Sequence, residues 1–381
     1  MVVNNKKLYL KLQNKVIAEF IANQNDDFSI SSFKIYDKSL LPFYLREKTE
    51  LDGSSFPWSF EYAVKNYFKE IKAIEVFRYG YNKFTAQFDQ TLFFFRNYIT
   101  HLRGLSAYDD YWITLDKNEP WEKINPRINE LHNECQQLVM KTSAYFFMKD
   151  NDLIVTPECN GKGSGKRRWL KKDGKLYLRK YNYKDKYSNL HPSATLSMEI
   201  SNFLDTLNFE HVKYTEAIED YKELDLDCIK DPEICCECEC FTNDQYSYVP
   251  LEELCCYCND INQNVIDFCL SIDENNFYKQ LIINYIIGNH FDPFDMGFLM
   301  DNKTGKLVKM APYFGYSKVY DEKTDFLYFF VNNPSYGLFE EEKQFNKKKM
   351  MSMLNELNIK PKNLNNFMKK RYDLLVNILT N

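Results

Sequence analysis

Residues 284–317, NYIIGNHFDPFDMGFLMDNKTGKLVKMAPYFGYS, decide the fold. Apolar residues recur at i, i+4 and i+8 up to Tyr285, which predicts a buried helix. Gly288 and Asn289 then predict its end, because these residue types favour the left-handed conformation that terminates helices. The following loop, 290–295, carries one imidazole and two carboxylates. Such side chains can bind a metal ion or accept a proton.

The second half of this stretch predicts a β-hairpin. Segments 297–300 and 307–310 are apolar and flank the turn sequence DNKTG. The order of helix, IGN, polar loop, GFL, hairpin and MAPYF resembles the catalytic core of the HipA-like family of atypical serine/threonine kinases. This resemblance implies an α+β fold, two-lobed and similar to that of protein kinases, with an N-terminal α+β extension.

The resemblance also implies site residues. The family has a catalytic Asp after "GN", a metal-binding Asn soon afterwards, and a second metal-binding Asp after "AP-x-aromatic", which together handle the proton and Mg²⁺ of phosphoryl transfer. Counted forward from the helix with a one-residue deletion, Asp292 is nearest the catalytic position, whereas counting back from the hairpin gives His290. Asp295 falls at the first metal-binding position in both counts. Gly315 replaces the second metal-binding Asp and offers no side-chain ligand.

A glycine-rich basic loop, GKGSGK at 161–166, precedes a second predicted hairpin. Glycines let backbone amides approach phosphate oxygens, although the spacing is not that of a Walker A loop and a flexible basic turn is the alternative. In the resembled family a glycine-containing turn, WLKK, a GK turn and a strand ending in the ATP-binding lysine occur in this order, as they do here up to Lys180. The resemblance therefore implies nucleotide-binding roles for Gly163, Gly165 and Lys180.

A helix is predicted at 191–207 from its apolar periodicity. The family has a Glu near the start of this helix that pairs with the lysine. Here Ser197 falls at that place, and Glu199, two residues on, is rotated by about 200° around the helix axis. The pairing carboxylate is therefore expected to be missing.

The strand CECFT that follows resembles the family's strand into the hinge, which implies that Glu239 and Phe241 contact the nucleotide. The chain has eleven cysteines, so a cysteine-rich zinc-binding interaction module is an alternative. Against zinc, the C-x-C-x-C spacing at 236–240 is that of a strand with three thiols on one face. The favoured interpretation is that these cysteines pack as small apolar side chains.

The front of the chain also resembles low-GC bacterial members of the family, in LLPFYLR at 40–46 and LSAYDDYWI at 105–113. Alternating leucines at 8–12 predict an opening hairpin, and Trp112 and Trp121 are predicted core anchors. Four regions are predicted: an N-terminal α+β region at 1–104, a connector at 105–150, a kinase-like N-lobe at 151–245 and a helical kinase-like C-lobe at 246–381.

The composition of the chain restricts the classes of binding partner that we expect. The 381 residues include 49 basic and 54 acidic ones, which does not indicate a general affinity for nucleic acid or anionic membranes. The basic hairpin at 162–186 is the local exception, and a solvated face beside a nucleotide is its other interpretation. No apolar run reaches the roughly 18 residues that span a bilayer, and no signal peptide opens the sequence. We expect a soluble, cytoplasmic protein with reduced thiols.

We therefore expect a HipA-like kinase-fold protein, catalytically impaired, that acts as a pseudokinase by binding nucleotide, protein or both. The alternative is an active serine/threonine kinase that transfers the γ-phosphate of ATP to a protein, with Lys180, Asp292 and Asp295 as its core. ATP with Mg²⁺ is the cofactor that the resemblance implies. A nucleotide and a protein are the implied partners, and a toxin–antitoxin context in bacteria is implied by the family alone.

Overall fold

The computed structural model describes most of the chain. The described residues are 5–23, 30–48, 63–64, 67, 103–129, 147–149, 152–154, 167–184, 190–207, 209–218, 234–289, 294–316, 319–320 and 346–380.

The chain begins with a four-stranded antiparallel sheet. Its strands are β1 (Asn5–Leu12), β2 (Lys15–Asn23), β3 (Ile30–Ile35) and β4 (Tyr111–Thr114), in the order β3-β2-β1-β4. The pairing of β1 with β2 confirms the predicted opening hairpin, and Leu8, Leu10 and Leu12 of β1 are buried. Lys11 is buried as well, at a shift in the strand register, so the burial does not alternate strictly. The edge strand β4 pairs with β1 although about a hundred residues separate them in sequence.

A second four-stranded sheet contains the predicted lysine hairpin. Its strands are β7 (Arg167–Lys172), β8 (Lys175–Tyr181), β11 (Thr215–Ala217) and β12 (Cys235–Glu239), in the order β11-β12-β8-β7. The apolar side of helix α2 (Ser193–Thr206) packs on this sheet and contributes Ala194, Ile200 and Leu204 to the core. Two short strand pairs, β5 (Phe147–Lys149) with β6 (Asp152–Ile154) and β9 (Tyr183–Lys184) with β10 (Leu190–His191), complete this region.

The third sheet and four helices form the C-terminal part. The sheet order is β13-β14-β15, from β13 (Tyr246–Pro250), β14 (Gly297–Asp301) and β15 (Leu307–Met310). The helices are α3 (Leu251–Asp260), α4 (Val265–Ile287), α5 (Lys347–Glu356) and α6 (Asn366–Thr380), while the short α1 (Phe43–Arg46) lies near the front. Gly288 ends α4 with a left-handed φ of 59°, as its position in the sequence predicts. Within the described residues no helix is long and apolar enough to cross a membrane.

The predicted α+β class is confirmed, and a sheet with one packed helix precedes the helical part, as the resemblance implies. Trp112 and Trp121 are buried and their rings contact each other at 6.1 Å, which confirms them as core anchors. The boundaries of the four regions stay predictions.

A buried carboxylate joins the first sheet to the third. Asp110 is fully buried, and its oxygens accept hydrogen bonds from Gln13 Nε2 at 2.8 Å, Arg127 Nη1 at 2.6 Å and Asn302 Nδ2 at 3.0 Å. Gln13 lies in the β1–β2 turn and Asn302 in the β14–β15 turn. A buried charge is tolerated when it is paired and hydrogen-bonded in this way. Asp110 and its three partners therefore form one hydrogen-bonded cluster, which we call the Asp110 cluster.

Replacing Asp110 by Asn should lower the free energy of unfolding by about 3 kcal/mol, because it leaves the partly buried Arg127 guanidinium with only the exposed Asp244 carboxylate, 3.6 Å away, as a counter-charge. Asp173→Asn is the matched control, since Asp173 is exposed in a hairpin turn at a φ of 50° that Asn adopts readily. Denaturant unfolding measures both variants. Equal stabilities for the two would contradict the role of Asp110.

Candidate functional site

The centre of the candidate site is Lys180 on strand β8. Its side chain is buried, and its ammonium lies 4.4 Å from the centre of the Tyr214 ring. Among the described residues the ammonium forms no hydrogen bond and no ion pair. Burial lowers the pKa of Lys180, and the negative charge of Asp295 acts in the opposite direction. The cation–π contact offsets only part of the cost of burying this charge.

Helix α2 does not supply the carboxylate that would pair with this lysine. Ser197 is fully buried, and its Oγ has no hydrogen-bond partner among the described residues. Glu199 faces elsewhere and accepts a hydrogen bond from the Tyr320 hydroxyl. The lysine–glutamate pair of protein kinases, which positions the phosphates of ATP, is therefore absent at these two positions.

Asp295 and Gly315 are in direct contact. A Cβ placed on Gly315 would lie 2.5 Å from Asp295 Cγ and 2.6 Å from Asp295 Cβ, and Gly315 has a left-handed φ of 82°. The space that a side chain at position 315 would need is thus occupied by Asp295. One carboxylate fills the region where the resembled family has two metal ligands.

Two tyrosines connect Gly315 to the lysine. Tyr316, which follows Gly315, is fully buried, and its ring meets the ring of Tyr214 edge-on at 5.4 Å. Tyr313 stacks on Tyr316 at 5.3 Å. These aromatic contacts link the segment that follows the hairpin to Lys180 through the Tyr214 ring. We use the name lysine site for Lys180, Tyr214, Asp295, Gly315 and Arg167 of β7.

Asn289 fixes the end of α4 against this segment. Its Nδ2 donates to Asn284 Oδ1 and to the Tyr313 hydroxyl, both at 3.0 Å, while its Oδ1 is buried without a hydrogen-bond partner. The sequence assigns Asn289 only to the end of the helix. Its further role is to hold the end of α4 to the segment that carries Tyr313.

Arg167 is the residue of the site that sequence reasoning missed. It is the first residue of β7 and lies directly opposite Lys180 in the antiparallel register. Its Nε and Nη2 atoms are buried and have no hydrogen-bond partner. Counting outward from the Asp173-Gly174 turn pairs Arg167 with Lys180, so the hairpin register in the sequence held the signal.

The two predicted hinge residues differ in their surroundings. Glu239 ends β12 and forms an exposed ion pair with Lys175 at 2.9 Å. Phe241 is partly buried, and its ring contacts Phe314, the residue before Gly315, at 5.0 Å. Phe241 is therefore linked to the lysine site, whereas the Glu239 side chain is held by the β7–β8 hairpin. Gly163, Gly165, His290 and Asp292 lie outside the described residues.

The cysteines of β12 face the core as thiols. Cys236 and Cys238 are buried, and burial raises the pKa of each to about 12. Such a shift disfavours the thiolate form that binds Zn²⁺. In the part of the chain that the structure describes, no group of three or more His, Cys, Asp or Glu side chains is placed to hold a metal ion.

No protein-family model matches the chain, and no curated protein matches it either. Among solved structures, a similarity is found to the proinflammatory kinase CtkA of Helicobacter pylori. The two chains are 16% identical, with a TM-score of 0.37, and the similarity covers 58% of this chain and 88% of the other. This similarity is too loose to assign a role to any residue.

An Asp at position 315 should destabilise the protein rather than restore a metal ligand, and Ala should act alike because the Cβ causes the collision. Gly315→Ala is expected to cost about 1 kcal/mol for the left-handed φ and about 1–3 kcal/mol more for the contact with Asp295. Gly174→Ala is the control, since Gly174 has a φ of 74° and open space around it. Thermal unfolding compares them.

A double-mutant cycle separates the two causes. In an Asp295→Gly background, measured against the Asp295→Gly single variant, Gly315→Ala should lose the contact cost and retain only the backbone cost. If Gly315→Ala and Gly174→Ala cost the same, Asp295 does not occupy the position.

Proposed function

We propose that this chain is a HipA-like kinase-fold protein that binds a nucleotide at the lysine site and is impaired in phosphoryl transfer. The observation that carries the proposal is the buried ammonium of Lys180, which forms no hydrogen bond or ion pair with any described residue. A buried charge without a counter-charge costs several kcal/mol. A phosphate group placed beside Lys180 would compensate for that cost, which a neutral ligand would not.

The surroundings of Lys180 support a phosphate rather than a carboxylate of the protein as its partner. Neither Ser197 nor Glu199 of α2 provides one. Arg179, the residue before Lys180 on β8, does have a carboxylate partner, since it pairs with Glu237 at 2.8 Å. The sheet therefore balances its charge at Arg179 internally and leaves Lys180 for a ligand. In this proposal the backbone of Gly163 and Gly165, in the loop before β7, would add amide donors.

Impaired transfer rests on the fit of the site to Mg²⁺. Active kinases hold this ion with oxygen ligands that bridge it to the phosphates. Among the described residues Asp295 is the carboxylate that acts on Lys180, and Gly315 contributes no side chain. These residues do not fit the two-ligand magnesium site of the resembled family, so we derive no step through a metal ion.

Lys180→Met should abolish nucleotide binding and, at the same time, stabilise the ligand-free protein by about 1–3 kcal/mol, because an apolar side chain carries no desolvation cost. Calorimetric titration with ATP and denaturant unfolding measure the two effects. Lys213→Gln is the control: Lys213 is exposed and pairs with Asp205 at 2.8 Å. Unchanged ATP binding by Lys180→Met would contradict the proposal.

The stabilising effect of Lys180→Met should also depend on pH. Because the folded pKa of Lys180 lies below its ordinary value of 10.5, the unfolded chain holds a proton between these two pH values that the folded chain has lost. The free energy of unfolding of the wild type should therefore rise with pH in that window, and the full cost should be present below it. Lys180→Met should lose this rise, which unfolding curves at several pH values will reveal.

Purified protein should incorporate no phosphate from radiolabelled ATP above the level of Lys180→Met. The reason is the absence of the helix carboxylate and of the second metal ligand. Incorporation that Asp292→Ala abolishes and His290→Ala retains would instead establish the active kinase, with Asp292 as the catalytic residue.

A further inference from the structure

Two cations of the lysine site share one side of the sheet. Arg167 and Lys180 are directly paired residues of β7 and β8, and directly paired residues of an antiparallel sheet project to the same face. The positive charge of Arg167 acts on Lys180 and lowers its pKa, as a smaller influence than burial. The two strands therefore hold two like charges side by side, and Asp295 is the carboxylate among the described residues whose charge opposes them at Lys180.

The other arginines of this hairpin have partners. Arg168 Nε donates to the Tyr181 hydroxyl at 2.8 Å, and Arg179 pairs with Glu237. Burial raises the pKa of Glu237, but the hydrogen bonds from Lys172 and Arg179 outweigh burial and lower it overall. Arg167, by contrast, has two buried nitrogens without an acceptor. A planar guanidinium with free donors matches phosphate oxygens in bidentate geometry.

The lysine site contains little negative charge among its described residues. Asp295 is in contact with Gly315, and no second carboxylate stands at position 315. A magnesium ion would bring two further positive charges into a region that already contains the buried Lys180 and the partly buried Arg167. At short range in a protein interior, like charges repel strongly, so a divalent ion would be disfavoured beside Arg167 and Lys180.

We propose that the lysine site takes the phosphate chain of a nucleoside triphosphate without a divalent metal ion, with Arg167 and Lys180 supplying the positive charge. This inference rests on the proposed nucleotide binding and specifies the form of the ligand. Lys180 would contact one phosphate as a point charge, and the Arg167 fork would hold a neighbouring one.

Calorimetric titration tests the inference with three probes: ATP with EDTA, ATP with excess Mg²⁺, and inorganic tripolyphosphate with EDTA. Wild type should bind ATP in EDTA at least as tightly as with Mg²⁺. Arg167→Gln should weaken binding in EDTA by about tenfold or more, which is the usual loss of a charge-assisted hydrogen bond. Arg167→Lys should show a smaller loss, because it keeps the charge without the fork. Lys213→Gln should bind like wild type.

Each outcome decides between the inference and the proposed function. Binding that requires Mg²⁺, or an Arg167→Gln variant with wild-type affinity in EDTA, overturns the metal-free inference and leaves nucleotide binding intact. Binding of tripolyphosphate but not ATP, sensitive to Arg167→Gln, supports a metal-free polyphosphate site and overturns the nucleotide assignment. Absence of binding to all three probes overturns both. Thermal unfolding of each variant confirms that it is folded.

Discussion

The structure depends on one buried carboxylate. Asp110 accepts hydrogen bonds from the turn of the first hairpin, from Arg127 in the connector, and from the turn of the β14–β15 hairpin. These segments are far apart in sequence, and each is fixed where it satisfies the same charge. Because removing any partner leaves a buried ionic group incompletely paired, the N-terminal sheet and the C-terminal part are constrained together.

The residues just before Asp110 carry this constraint to the lysine site. The Ala107 carbonyl accepts a hydrogen bond from Thr242 Oγ1 at 2.6 Å, and the Tyr108 carbonyl accepts one from the Tyr248 amide at 2.7 Å. The Tyr108 ring also contacts Trp169 of β7 at 5.6 Å. The strand that carries Arg167, the hinge and β13 are therefore all attached to one short segment. A ligand at the lysine site would meet a preorganised surface, which lowers the entropic cost of binding.

Local patterns in the sequence predicted the elements around the site, and nonlocal contacts decided its chemistry. The end of α4 at Gly288, the β14–β15 hairpin and helix α2 follow from residue preferences and periodicity. The Asp110 cluster could not be predicted, because two turns and a connector converge there only in the folded chain. The contact between Asp295 and Gly315 was hidden for the same reason: the intervening hairpin brings them together.

Arg167 is a different case, because its register could be counted from the turn. It was overlooked since a basic residue beside a glycine-rich loop is usually solvated, and only the burial of its nitrogens distinguishes it. Sequence alone does not report burial on a half-exposed strand. The proposed function thus depends on side chains whose polar atoms are buried without a hydrogen-bond partner among the described residues.

The charge balance of the site connects the two missing carboxylates to the metal ion. Relative to the pattern of the resembled family, Ser197 and Gly315 each stand where an acid would be, so the site lacks two negative charges. A magnesium ion would bring two positive charges. A site without these acids therefore presents the same net charge to a triphosphate as a site that has both the acids and one ion. In the proposed site, with Arg167 opposite Lys180, the attraction for phosphate would not depend on a metal, whereas the in-line transfer that a metal supports would lack two of its carboxylates.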